Sequence, residues 1–221
     1  MQYFVFSEPK DLRVMADVLL LSSGGLDSTT VAFWLRDKGI SYLPLFFDYG
    51  QHCVDTEWMT LHSVLPSDAT PPQRVDISGI FRGSTSRLIA EPDLWTERVS
   101  EDELYIPYRT LLFFSAGAAF AQTRGITDVY SGFINSNHAK ELDCTASFLN
   151  GLDALSENVG PVRFQIPFRD KSKTYVAELA KRLGVPIGKT YSCQVYSDVP
   201  CGACPNCVER LNALREAGLA A

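Results

Sequence analysis

An apolar run, Val18-Leu19-Leu20-Leu21, gives way almost at once to Ser23-Gly24-Gly25-Leu26-Asp27-Ser28, and that hexapeptide opens a segment, 29–38, with helical apolar spacing. No other part of this chain constrains the fold as much. The apolar run reads as a buried parallel strand, and a turn through adjacent glycines into a helix N-terminus makes an anion site. The backbone N–H groups of the turn and the positive end of the helix dipole converge on one point, and the serines add hydroxyl donors. That geometry suits the phosphates of a nucleotide. The alternative is a Gly-Gly turn with Ser and Asp caps, which is ordinary helix-start chemistry. The loop is not a Walker A loop, which needs G-x-x-x-x-G-K-[ST].

The rest of the chain repeats the alternation. The first helix buries Val31, Trp34 and Leu35 and stops at Gly39. Residues 42–47 read as the second strand, 55–65 as a helix, and 74–77 as a short third strand. Residues 110–124 form a helix of apolar and small residues ended by Gly125, and 128–132 a strand. A helix over 144–157, a last strand over 163–166 and a helix over 173–183 ended by Gly184 follow. This order predicts an α/β fold with a doubly wound, Rossmann-like parallel sheet. Ligands of such sheets sit beyond the carboxyl ends of the strands, where residues 23–28 fall. Residues 78–105 carry no period and read as a long surface segment, a lid or an oligomer contact.

The chain of 221 residues is expected to be a single domain (1–221), with an α/β core at 17–190 and a cysteine segment plus helix at 191–221. Its net charge of −6, with both signs interspersed, offers no basic footprint for nucleic acid. No run approaches the roughly 18 apolar residues of a membrane helix. The first residues, MQYFVFSEPKDLR, lack the pattern of a secretory signal. Three of the six cysteines crowd into seven residues, which fits metal better than disulfides and points to a reducing cytoplasm.

The ligand set is Cys193, Cys201, Cys204 and Cys207. Four thiolates satisfy a closed tetrahedral Zn²⁺ site, and they leave no open position for a catalytic water. Disulfides and buried thiols are the plain alternatives. An iron–sulfur cluster, which also takes four cysteines, is the main rival. Cys53 and Cys144 stand apart and read as small buried side chains rather than nucleophiles.

The pattern S-G-G-x-D-S resembles the PP-loop of the ATP pyrophosphatases, a HUP-like fold whose members split ATP between the α and β phosphates. With the four-cysteine knuckle, it is similar to the 7-cyano-7-deazaguanine synthase (QueC) family over the chain after residue 17. Phe47-Asp48-Tyr49-Gly50-Gln51 resembles that family's F-D-Y-G-Q. Ile106-Pro107-Tyr108-Arg109-Thr110 takes the place of its V-P-G-R-N, and Asp143-Cys144 ends the stretch matching S-G-Y-P-D-C. Asp170 to Lys173 matches its lysine segment, and Cys201-Gly202-Ala203-Cys204-Pro205-Asn206-Cys207 its C-G-x-C-x-x-C. The departures fall elsewhere. Family glycine and asparagine are Tyr108 and Thr110, the S-G-Y-P stretch is Ala139-Lys140-Glu141-Leu142, and the following arginine is Thr145. The ATP half is kept and the acceptor half has drifted.

The resemblance implies a cytoplasmic ligase forming C–N bonds. It would use ATP, Mg²⁺ and Zn²⁺ on a small-molecule substrate, 7-carboxy-7-deazaguanine or a related acid. Ser22, Ser23, Gly24, Gly25, Leu26, Asp27 and Ser28 would hold phosphates. Asp27 orients the loop, binds Mg²⁺ or caps the helix. Arg109 would clamp phosphate charge, with a surface ion pair as the alternative. Lys173 sits at a helix start, where a cation opposes the dipole, which points to an anionic ligand; a solvated lysine, or Lys171 in its place, is the alternative. Asp27, Ser28, Arg109 and Lys173 form the expected catalytic set. Asp48 and Gln51 contact nucleotide or form a turn, and His52 reads as a turn residue. Gly132, His138 and Asp143 would bind the acid, and His138 and Lys140 either read a new acceptor or belong to an exposed polar loop. Two alternatives to amide and nitrile synthesis are weighed. One joins the acid to another amine, with a protein as acceptor, in the manner of QueC-like relatives of antiphage defence operons. The other binds ATP without turnover. No nucleic-acid or membrane partner is expected, and a homodimer is the expected assembly.

Overall fold

The computed structural model describes residues 16–93, 96–97, 99–134, 145–195 and 199–219. Among them, five strands form one sheet in the order β3-β2-β1-β4-β5, every neighbouring pair parallel. The strands are β1 (Val18–Leu21), β2 (Tyr42–Asp48), β3 (Gln73–Asp76), β4 (Asp128–Tyr130) and β5 (Arg163–Gln165). The helices are α1 (Leu26–Asp37), α2 (Val54–Val64), α3 (Arg109–Gln122), α4 (Ala146–Val159), α5 (Lys173–Leu183) and α6 (Pro205–Glu216). The chain winds outward from β1 through β2 to β3, then returns to the other side of β1. The direction therefore reverses at the end of β1, the place where doubly wound sheets hold ligands.

Alternation along β1 builds a core on both faces. Leu19 and Leu21 point with Leu43, Leu45 and Phe47 toward α3 and α4, whereas Val18 and Leu20 pack on Val31 and Leu35 of α1 and Val176 and Leu179 of α5. Trp58 of α2 packs on Phe46, with ring centroids 5.4 Å apart, on the α1 side. Each leucine taken fully from water on these faces contributes about 2 kcal/mol. α3 turns one stripe inward, Thr110, Phe114, Gly117 and Ala121, at the spacing of a helix face. Its small residues let it lie close: a Cβ on Gly117 would stand 3.0 Å from the end of the Leu21 side chain.

The sequence places most elements within one or two residues. Three differences matter. α1 begins at Leu26 rather than 29, so half of the glycine-rich hexapeptide is the first turn of the helix itself. Trp34 is only half-buried. The described residues of 78–105 are mostly exposed or half-buried, as a surface segment would be, but they also feed the interior. Phe81, Leu88 and Leu104 are buried in a third apolar cluster with Tyr49, Tyr191, Cys193, Cys204 and Cys207. Short turns do the work that a regular element does elsewhere. Ser86 Oγ donates to Glu103 O (2.9 Å), Arg87 N–H to the same carbonyl (2.8 Å), and Ser100 and Glu103 close a capping box. Isolated apolar residues at irregular intervals leave no periodic trace, which is why this part reads as surface. The cysteine segment packs on this cluster, and α6 packs on α5, where Thr174 Oγ1 donates to Glu216 Oε2 at 2.6 Å. Among the described residues no helix is long and apolar enough to cross a membrane.

Candidate active site and cysteine centre

A cleft of ≈ 770 Å³ opens over the carboxyl ends of β1, β2 and β4, with residues of the 23–28 loop at its centre. Its size is that of a ligand-binding cleft. Its lining mixes apolar side chains, among them Leu45, Phe46, Phe47 and Phe113, with polar ones from Ser131 and the run 169–173.

Two glycines explain how the loop fits between them. Gly24 has φ +79°, and a Cβ there would stand 2.9 Å from Leu61 N of α2. Gly132, expected to bind substrate, lines the cleft but also lies against the start of α1: its Cβ would stand 2.8 Å from both Asp27 C and Ser28 N. Those are backbone atoms that cannot step aside, so the β4 end and the α1 start meet only because no side chain intervenes. Gly25 caps α1 without any side-chain cap, so the first-turn N–H groups stay available. Ser28 Oγ donates to Gly25 O (3.3 Å) and accepts from Ser23 N–H (3.3 Å), which draws the loop closed. Ser22 is buried and donates to Leu20 O, and Leu26 anchors the turn in a small cluster with Ala180 and Val185.

The two expected cations reach the cleft from opposite sides. Lys173 opens α5, and its Nζ donates to Asp27 Oδ2 at 2.5 Å. The cation that opposes its own helix dipole is thus held by a carboxylate from another helix start. Asp27 Oδ1 is buried with no partner among the described residues, an orphaned acceptor beside the loop. Arg109 opens α3 and lies over the Tyr49 ring, 5.6 Å from its centroid. Its Nε is buried without a partner, and no salt bridge to it is found among the described residues. Lys171 also lines the cleft, with its ammonium over Tyr175.

Other expected residues sit differently. Asp48 is not brought to the cleft: its Oδ2 accepts from Arg74 Nη2 (2.6 Å) and its Oδ1 from Gly50 N–H (3.0 Å), the turn-forming arrangement. Gln51 lines the cleft, but its amide is committed. Oε1 accepts from Tyr49 N–H, and Nε2 donates to Phe47 O and to Glu57 Oε2 (2.9 Å). His52 Nε2 lies 3.2 Å from Gln194 O, tying the strand-two turn to the cysteine segment. His138, Lys140, Asp143 and Cys144 lie outside the described residues.

The sequence did not single out Glu57. Its position in the first turn of α2 reads as a dipole-compensating surface acid. The fold instead turns it into the cleft beside Gln51 and Cys53, and burial pushes its carboxyl up to about 7. Burial, with Glu57 beside it, also raises the Cys53 thiol far above the ordinary range, which makes it an inert buried group.

The four sulfurs of Cys193, Cys201, Cys204 and Cys207 lie within 4.8 Å of one another. Thiolates at about 2.3 Å from one Zn²⁺ stand about 3.8 Å apart at tetrahedral corners. Cys201 and Cys207 Sγ are 4.0 Å apart, so the set could hold zinc. Backbone N–H groups of Cys201, Ala203 and Cys204 point at sulfurs of the set, at 3.2–3.4 Å. Hydrogen bonds from Cys204 and Cys207 hold the Cys193 thiol well below its ordinary range.

The family model described as "Queuosine biosynthesis protein QueC" matches residues 17–218. The chain belongs to the QueC family. Among its relatives are two 7-cyano-7-deazaguanine synthases. That of Campylobacter hominis is 29% identical over 204 residues, covering 88% of this chain and 93% of the relative. That of a Synechococcus species is 32% identical over 214 residues, covering 90% and 93%. A solved 4-thiouridine synthetase, in complex with RNA and with bound ATP, shares the fold at TM-score 0.54 and 17% identity, covering 92% of this chain and 50% of that one. The parallel sheet with its strand–turn–helix after β1 is thus a fold shared with that structure.

Proposed function

We propose that this protein is an ATP-dependent synthase that adenylates the carboxylate of a 7-deazaguanine acid and passes it to ammonia. The observation that carries the reading is the uncapped α1 N-terminus at the sheet's reversal point, flanked by Lys173 and Arg109 in one cleft. A carboxylate is a poor acyl donor because its leaving group would be oxide. Its oxygen attacks the α-phosphorus of ATP, the bond to the bridging α–β oxygen breaks, and pyrophosphate leaves. Ammonia then attacks the acyl carbon, AMP departs, and the amine proton passes to solvent. A second adenylation, on the amide oxygen, lets loss of AMP and the N–H protons give the nitrile.

The N–H groups of Gly24 and of residues 26–28, with the Ser23 and Ser28 hydroxyls, hold the leaving pyrophosphate. Lys173 and Arg109 balance the charge that builds on it. Asp27 fixes Lys173 through Oδ2, and its free Oδ1 suits a Mg²⁺ that neutralises phosphate charge. The cysteine set holds zinc as a structural ion. The support for this reading is that the four sulfurs lie within 4.8 Å of one another, a spacing that suits one ion.

Incubation with 7-carboxy-7-deazaguanine, ATP, Mg²⁺ and ammonia tests the reading, with pyrophosphate release and product mass as readouts. The amide or nitrile mass is expected; acid-independent ATP cleavage, or none, refutes it. A second reading, transfer to an amine on a protein, is favoured by Tyr108. This aromatic is 75% exposed and held at φ 66° immediately before Arg109, where the family pattern has glycine. Pyrophosphate release that requires the acid yet yields no small amide or nitrile selects it.

A further inference from the structure

The cysteine centre and the phosphate loop are joined by one short segment, residues 190–193. At its start, the Tyr191 N–H donates to Gly24 O at 3.2 Å. The Tyr191 carbonyl lies 3.4 Å from where a Cβ on Gly25 would stand, so the segment backs the loop from below. At its end is Cys193, one of the four sulfur ligands. The Tyr191 hydroxyl donates to the Cys193 sulfur, and the ring is buried in the cluster that holds Cys204 and Cys207. One residue thus touches the loop with its backbone and the metal site with its side chain.

The segment is clamped from its other side by Arg210. This residue lies on α6, three positions after Cys207, so the metal ligand and the arginine share one helix face. Arg210 Nη1 donates to Thr190 Oγ1 (2.6 Å) and Ser192 Oγ (3.3 Å), and Nη2 to Ile187 O (2.6 Å). A planar fork that grips three acceptors on one strand of chain holds it in one register. The α6 helix is in turn oriented by Cys204 at its cap and Cys207 in its first turn.

We propose that the metal at the cysteine centre and the nucleotide at the phosphate loop bind with coupled free energies, through the strut 190–193 and with Tyr191 and Arg210 as positioning residues. The inference rests on the reading that the loop takes ATP and the cysteines take zinc. An ion drawn tight among the four sulfurs fixes Cys193 and α6. The strut then holds Gly24 and Gly25 in the conformation that leads into the uncapped N-terminus of α1. Without the ion, the strut is released at one end and the loop must be ordered by the nucleotide alone. Coupling of binding is reciprocal, so nucleotide must tighten zinc by the factor by which zinc tightens nucleotide.

The test uses the zinc-loaded full chain. Zinc affinity is measured by chelator competition at buffered free zinc, with and without Mg²⁺ and the α,β-methylene analogue of ATP, which resists cleavage at the reacting bond. Nucleotide affinity is measured in parallel by calorimetry on loaded and zinc-stripped protein. The expected result is a gain of about tenfold in zinc affinity with nucleotide, matched by an equal loss of nucleotide affinity on stripping. Arg210→Met should keep zinc at one per chain while the nucleotide-dependent gain falls toward onefold, and Arg210→Lys should restore part of it. Tyr191→Phe, which deletes one hydroxyl, supplies the same readout should Arg210→Met fail to fold. Nucleotide that binds but leaves zinc affinity unchanged overturns the coupling and leaves the proposed function standing. Nucleotide that does not bind the loaded protein overturns both.

Discussion

Replacing Glu57 with glutamine measures how strongly the fold resists a charge at the floor of the cleft. The Glu57 carboxylate accepts from Gln51 Nε2 at 2.9 Å, beside Cys53, and burial raises it from an ordinary 4.5 to about 7. Below pH 4.5 the acid is protonated in folded and unfolded chains alike, and nothing is lost. Between pH 4.5 and 7 the unfolded chain gives up its proton while the folded chain keeps it, so stability falls as pH rises. Above 7 both are ionised and the full penalty is present. At about 1.4 kcal/mol per pH unit that penalty is about 2–3 kcal/mol, allowing for screening where the residue meets the water-filled cleft. Glutamine keeps the size and the acceptor oxygen but cannot ionise. Urea unfolding of both proteins, zinc-loaded and without nucleotide, should be followed from pH 4.5 to 8.5. The Glu57→Gln protein should gain about 2–3 kcal/mol on the parent across that range, some 4–12 °C in Tm for a chain of this size. Every other titrating group is common to both proteins and cancels. Parallel stability curves, or a gain toward low pH, would refute the argument.

Gly132→Ala drives a Cβ to 2.8 Å from the Asp27 and Ser28 backbone; it should lose about 2 kcal/mol in urea unfolding and raise the ATP KM at least tenfold. Lys173→Met strips Asp27 of its ammonium partner and should lower acid-dependent pyrophosphate release by about 10²-fold or more. Tyr108→Gly relieves a left-handed backbone without uncovering buried surface, so it should hold or gain up to about 1 kcal/mol by the same unfolding assay. Under the protein-acceptor reading the same change lowers transfer to the acceptor while acid-dependent pyrophosphate release persists.

What the sequence made legible is what repeats or what is local. The β1 strand, the turn and the α1 start are contiguous, and the Thr110, Phe114, Gly117 and Ala121 stripe of α3 has a helix period. The four cysteines announce themselves by spacing, although only the fold shows that Cys193 closes on the other three. What stayed hidden needed two distant parts of the chain. Lys173 reads as an unfavourable cation because Asp27, its partner, lies 146 residues away. Glu57 reads as a surface acid until α2 is packed beside the loop. Asp48 belongs to a motif, and nothing local says that Arg74 on the next strand takes its carboxylate. Phe81, Leu88 and Leu104 are buried without period, so a segment read as surface also contributes side chains to the interior.

The central strand is only four residues long, yet it is bonded along both edges, to β2 and to β4. A ribbon pinned on two sides cannot slide, and whatever crowns it inherits that stillness. The cradle at its tip is therefore an anvil rather than a jaw. Whatever binds there must come to it past the rim of the cleft.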